Sequence, residues 1–65
     1  MSGKELKALA TAARLRPIEI CSEAGISTPT LYKVYNDEKV EDESKKSVIR
    51  AIMTLRKKVR AAVAG

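Results

Sequence analysis

Apolar residues recur along this chain with the spacing of helices. Leu6, Leu9, Ala10 and Ala13 fall at i, i+3, i+4 and i+7, which predicts a first helix over roughly Gly3–Leu15 with Lys4, Lys7, Thr11 and Arg14 on its other side. A second helix is expected from Pro17 to about Ala24, because proline is tolerated at the first helical position, where its missing N–H costs nothing. A third should open with Ser27 as N-cap, its hydroxyl accepting from a backbone N–H of the first turn, and end near Tyr35 or Asn36. Pro29 fits inside that first turn and would disrupt the helix any later. In a fourth helix, about 42–63, the residues Val48, Ile52, Leu55, Val59 and Ala62 step by four, three, four and three, and Ile49 and Val63 widen the stripe. A seam with a period near 3.5 suits a helix packed against another helix. Glu41, Asp42 and Glu43 sit at its start and Arg56, Lys57, Lys58 and Arg60 crowd its end, as the helix dipole favours.

The segment from Pro17 to Asn36 has the spacing of a helix-turn-helix. Gly25 falls where the chain must turn sharply, and glycine adopts the positive φ such a turn demands. Cys21, four positions earlier, is small enough to let the next helix cross closely, and Ile20, Ala24, Ile26, Leu31 and Val34 would form the apolar wedge between the two. The second helix of such a unit normally enters the major groove of DNA. The fold expected is therefore all-α: a small four-helix helix-turn-helix domain with a long C-terminal helix.

Sixty-five residues suit a single domain that buries only about 60% of its unfolded surface. One cysteine forbids an intramolecular disulfide, and with no histidine a structural zinc site is excluded. Stability must come from helix packing, with dimerisation as a possible aid. The first sixteen residues lack an apolar run and carry four bases, so they do not read as a signal peptide, and no stretch is long enough to span a bilayer. A cytoplasmic location is expected. The net charge of +5 is unevenly spread. Residues 1–35 carry five bases and three acids, residues 36–44 carry one base and five acids, and residues 45–65 carry seven bases and no acid. A basic domain with one acidic loop suits a nucleic-acid binder whose loop faces away from phosphates. A merely solvated basic face on the last helix is the competing reading.

Residues 5–39 resemble the lambda-repressor-like, Cro-type helix-turn-helix domains of phage and bacterial regulators, which also place one helix before the bihelical unit. Residues 20–55 are similar to the DNA-binding headpiece of the lactose-repressor family: the match includes Ala24–Ser27, the Thr30–Leu31 pair, Val34, Asn36, Val40, Val48–Ile49, Ile52 and Leu55. The run from Gly25 to Tyr35 also looks like the recognition region of tetracycline-repressor-type regulators. Departures are Pro17 where Cro-type domains often have Gln, Cys21 where Ala is usual, and Glu41 where the headpiece has Ser or Thr. The resemblance implies a lambda-repressor-like fold and a small repressor without an inducer domain.

The outward face of the third helix should be Thr28, Pro29, Tyr32, Lys33 and Asn36, with Leu31, Val34 and Tyr35 inward. Lys33 can donate to guanine O6 and N7, Thr28 can donate or accept at a base edge, and Pro29 offers apolar surface to a thymine methyl. The Tyr32 hydroxyl can reach a base or a phosphate. By family position, Thr28, Pro29, Tyr32 and Lys33 correspond to base readers, and Ser27, Thr30 and Asn36 to backbone contacts. Arg16, Lys39, Lys33 again and the amides at the start of the second helix are further phosphate candidates, with Arg14 and Lys7 behind them. Ser27 has a competing role as a simple cap, Tyr35 as core, and Cys21 as a small buried hydrophobe. Leu55, Val59, Ala62 and Val63 are the candidate dimer interface; a frayed tail is the alternative there.

The function expected is a sequence-specific, double-stranded-DNA-binding transcriptional regulator, a Cro-type repressor that binds a palindromic operator as a homodimer with residues 28–35 in the major groove. An architectural or excisionase-like DNA-binding factor and a protein-binding adaptor or antitoxin are the alternatives. No catalytic constellation is legible, and no cofactor, metal, small-molecule ligand or membrane partner is expected.

Overall fold

In the computed structural model, which describes residues 2–64 and the side chains through residue 62, four α-helices follow one another: α1 (Gly3–Ala12), α2 (Pro17–Ala24), α3 (Thr28–Tyr35) and α4 (Asp42–Ala64). There is no strand among the described residues. The molecule measures 39 × 20 × 16 Å, the long dimension following from α4, whose 23 residues span about 34 Å at 1.5 Å per residue. No helix is long and apolar enough to cross a membrane among the residues described.

One aliphatic core joins all four helices. Leu6 and Ala10 of α1, Ile20 and Cys21 of α2, Leu31, Val34 and Tyr35 of α3, and Val48, Ala51 and Ile52 of α4 are buried, together with Leu15 from the α1–α2 connection. Leu6, Leu31, Val48 and Ile52 are wholly shielded from water. Leu9, Ala13, Ala24, Ile26, Val40, Ile49 and Leu55 pack around them half-buried. The apolar positions read from periodicity thus lie in or against the core as far as Leu55, with Ala51 added, whereas Val59 and Ala62 of the expected α4 seam are exposed. Among the described residues no charged or polar side chain is buried. Helix α2 packs most extensively on α4, and α3 touches each of the other three helices.

The first three helices end in the same way. Arg14, Gly25 and Asp37 adopt left-handed backbone conformations, with φ of 57°, 70° and 56°. The residue after each sends its N–H five positions back: Leu15 to the Ala10 carbonyl at 2.9 Å, Ile26 to Cys21 at 3.1 Å and Glu38 to Lys33 at 2.9 Å. This is the hydrogen bond of a Schellman motif, which satisfies a carbonyl otherwise orphaned at a helix end. Helix α1 therefore stops at Ala12, three residues short of the expected Leu15. The reversal at Arg14 turns Leu15 down into the core, where burying its side chain outweighs another helical turn.

The start of α1 is fixed from afar. Ser2 caps it by accepting from the Glu5 N–H at 3.2 Å. The Gly3 N–H donates to the Asp37 carboxylate at 2.8 Å, tying α1 to the turn after α3. A β-carbon on Gly3 would collide with the Val34 and Tyr35 carbonyl oxygens, so the backbone of α1 lies directly on the end of α3.

Candidate nucleic-acid interface

Helix α3 is the element on which the candidate side chains converge. Three residues, Gly25, Ile26 and Ser27, separate it from α2. The left-handed conformation at Gly25 makes that connection short, and the half-buried Ile26 pins it to the core. With Leu31, Val34 and Tyr35 facing inward, the 3.6-residue period leaves Thr28, Pro29, Tyr32, Lys33 and Asn36 exposed. Tyr32 is 47% exposed. Its ring meets Tyr35 edge-to-face, with centroids 6.5 Å apart and planes at 68°. The buried tyrosine thereby limits where the exposed one can swing. Burial pushes the Tyr35 hydroxyl above its ordinary pKa, with smaller contributions from Cys21 and Tyr32, so it stays protonated at neutral pH.

The start of α3 differs from expectation. Ser27 is the N-cap by position, but its hydroxyl makes no cap bond to the backbone. It pairs instead with the Thr30 hydroxyl at 2.9 Å. Two hydroxyls one turn apart bind each other more readily than Ser27 can reach past Pro29, which offers no N–H. On the opposite flank, the Cys21 thiol makes a long 3.9 Å contact to the Thr28 hydroxyl, so Thr28 is exposed but turned partly towards α2. The proline at the start of α2 has a similar consequence. Pro17 has no N–H, and the Glu19 and Ile20 amides both donate to the Arg16 carbonyl, at 3.1 and 3.2 Å. Only Ile18 retains a free first-turn amide, with the acid Glu19 beside it. The expected cluster of phosphate-binding amides is therefore reduced to one, and Arg16, an exposed side chain, is what remains at that corner.

Thr30, Lys33 and Lys39 come together. With Val40, Glu41 and Ser44 they line an open depression of about 620 Å³ between α3 and the start of α4. Two ammonium groups and two hydroxyls there can bind an anion such as phosphate, although Glu41 on the rim opposes one. Asn36 is exposed just past the last turn of α3. The exposed acids Asp37, Glu38, Glu41, Asp42 and Glu43 lie in the loop that follows and the first turn of α4. Lys7, Arg14 and Arg16 are also exposed but belong to α1 and its connection to α2.

The candidate dimer residues are split by the structure. Leu55 is half-buried against the core, Val59 and Ala62 are exposed, and the Val63 side chain lies outside the described residues. Cys21 is a buried free thiol in the α2–α3 wedge, in keeping with a small packing residue. Two residues that shape this surface escaped the sequence reading. Asp37 and Gly3 lock α1 to the end of α3, and only a contact across 34 positions reveals them.

Comparisons with known protein families, with curated proteins and with solved structures gave no match to this chain.

Proposed function

We propose that this chain is a Cro-type helix-turn-helix regulator that reads double-stranded DNA with α3 in the major groove. The observation that carries this reading is the two-sidedness of an eight-residue helix: three large side chains anchor its back, Pro29, Tyr32 and Lys33 are exposed on its front, and Asn36 is exposed just past its end. A helix of 10–12 Å diameter with side chains is the right size for a groove about 12 Å wide. A probe held from behind loses little conformational freedom on docking, so its contacts discriminate between sequences rather than merely adhere.

In this reading Tyr32, Lys33 and Pro29 touch base edges, with Thr28 at the α2 flank. Ser27, Thr30, Asn36, Lys39 and Arg16 hold the sugar–phosphate backbone around them. Phosphate contacts set the register and base contacts carry the sequence information. The net charge of +5 supplies the long-range attraction, which weakens with salt. Two copies on one palindromic operator would place their α3 helices roughly 34–36 Å apart, one turn of DNA, and occupancy would block transcription.

Selection of bound fragments from a random duplex pool tests this. The expected result is an enriched consensus whose half-sites are spaced about 10 bp centre to centre. A pool that stays random after several rounds would refute sequence reading.

A further inference from the structure

Two of the exposed residues on α3 touch buried side chains behind them. Tyr32 and Tyr35, three positions apart, are neighbours on the helix surface, and their rings meet edge-to-face with centroids 6.5 Å apart. Tyr35 is held in the core, whereas Tyr32 stands largely in solvent. Thr28 lies four positions before Tyr32, in the same row along the helix. The thiol of Cys21, as deeply buried in α2 as Tyr35 is in α3, donates to the Thr28 hydroxyl oxygen at 3.9 Å. Besides burial, the neighbouring Cys21 raises the Tyr35 pKa, so the two buried groups adjoin. Each of them thus backs one exposed side chain.

These contacts act before any ligand arrives. An exposed tyrosine on a helix exchanges between staggered χ1 wells, and docking must select one of them. An edge-to-face partner favours the well in which the rings meet, so that selection is already made. The thiol acts on Thr28 through its hydroxyl, which has one proton and two lone pairs. With the thiol proton directed at the oxygen, the threonine O–H is left to point outward. It then favours a base edge that presents an acceptor, such as guanine N7 or O6 or thymine O4, over the cytosine amino group. Alanine at position 21 has no proton to donate and would leave that hydroxyl free to turn.

We infer that Tyr35 and Cys21 are positioning residues for DNA reading: they fix Tyr32 and Thr28 from behind and so set the base preference at the positions those two side chains read. Given the groove reading of α3, on which this rests, part of the specificity lies in side chains that never reach the groove.

Scalar couplings of the Tyr32 side chain in the free protein, measured by NMR, test the first step without DNA. The parent and Tyr35→Phe, which keeps the ring, should each show one dominant χ1 rotamer, and Tyr35→Leu an average over several. Selection from a random duplex pool tests the second step. Tyr35→Leu should relax the consensus at the position that Tyr32→Ala also relaxes, and Cys21→Ala at the position that Thr28→Val relaxes, with the other positions kept. Affinity for the parent consensus should fall about 3–10-fold in Tyr35→Leu and Cys21→Ala, with affinity for random duplex unchanged. Tyr35→Phe should bind as the parent does. Should Tyr35→Leu fail to fold, the parent couplings and Cys21→Ala still decide the matter. Rotamer averaging of Tyr32 in the parent, an even loss over all positions and both kinds of duplex, or a consensus indifferent to Tyr35→Leu and Cys21→Ala would overturn the proposal and leave the groove reading standing. A parent that selects no consensus would remove both, and the couplings tell the two failures apart.

Discussion

Helix α3 and the last turns of α4 both carry basic side chains into solvent, but they are held very differently. Leu31, Val34 and Tyr35 bury the back of α3, and its two ends are fixed by Gly25 on one side and the Asp37 turn on the other. Beyond Leu55, α4 has left the core: Lys57, Lys58, Val59, Arg60, Ala61 and Ala62 are all exposed. Charge alone would favour the end of α4 as the DNA-binding element, with four bases in five residues against one on α3. Anchoring reverses that ranking. Base reading needs side chains at fixed positions, whereas attraction to a polyanion needs only charge. Under the proposed function, the difference favours α3 over the end of α4 as the element that would read sequence.

Core truncation should separate the two regions most widely. Leu31→Ala is expected to cost about 2–5 kcal/mol, most of what so small a domain has, because Leu31 is wholly buried. Val59→Ala should stay within about 0.5 kcal/mol. Urea denaturation followed by circular dichroism measures both, and comparable losses would erase the contrast between an anchored and a free helix.

Gly3→Ala comes next. Its methyl group meets backbone carbonyls of α3 rather than a yielding side chain, so a loss of about 1–3 kcal/mol is expected in the same denaturation assay. An unchanged midpoint would mean that α1 does not brace the end of α3.

The helix ends allow a test with opposite signs. Gly25 has nothing within 4 Å of an added β-carbon, so Gly25→Ala meets only the left-handed backbone penalty, about 1–2 kcal/mol. Arg14 already bears that penalty, and Arg14→Gly should recover up to about 1 kcal/mol. Thermal melts of the two variants should therefore move in opposite directions from the parent.

The smallest effect concerns Tyr35. Burial raises its pKa in the folded state, so its contribution to stability is fully present below the ordinary tyrosine value near 10. As pH rises from there through the folded-state pKa, the unfolded chain gains by ionising first and that contribution is lost. Tyr35→Phe should flatten this part of the stability–pH curve, and an identical decline in both proteins would assign it to other groups.

The bounds of α2 and α3 were legible because their punctuation is local: Pro17 at a first position, Gly25 at an end, Pro29 within a first turn. The end of α1 was not, because Arg14 has no chemical signature of a left-handed residue. Asp37 hides in the same way, its role resting on a hydrogen bond to Gly3. The Ser2–Glu5 cap could have been found, since serine followed three residues later by glutamate before an apolar run marks a helix start. The exposed set on α3 followed from helical period alone. The Ser27–Thr30 pairing did not, because it depends on which of two nearby partners a hydroxyl takes. Nor did the depression joining Lys33 to Lys39, which requires the start of α4 to fold back beside α3.

The central claim is that the front of α3 reads sequence, and affinity on two kinds of DNA tests it directly. Titrations of Lys33→Ala and Tyr32→Ala against the selected duplex and against random duplex, at one fixed salt concentration, give the comparison. The account expects each variant to lose about 1–3 kcal/mol on the selected duplex and little on the random one. Equal losses on both duplexes would contradict it.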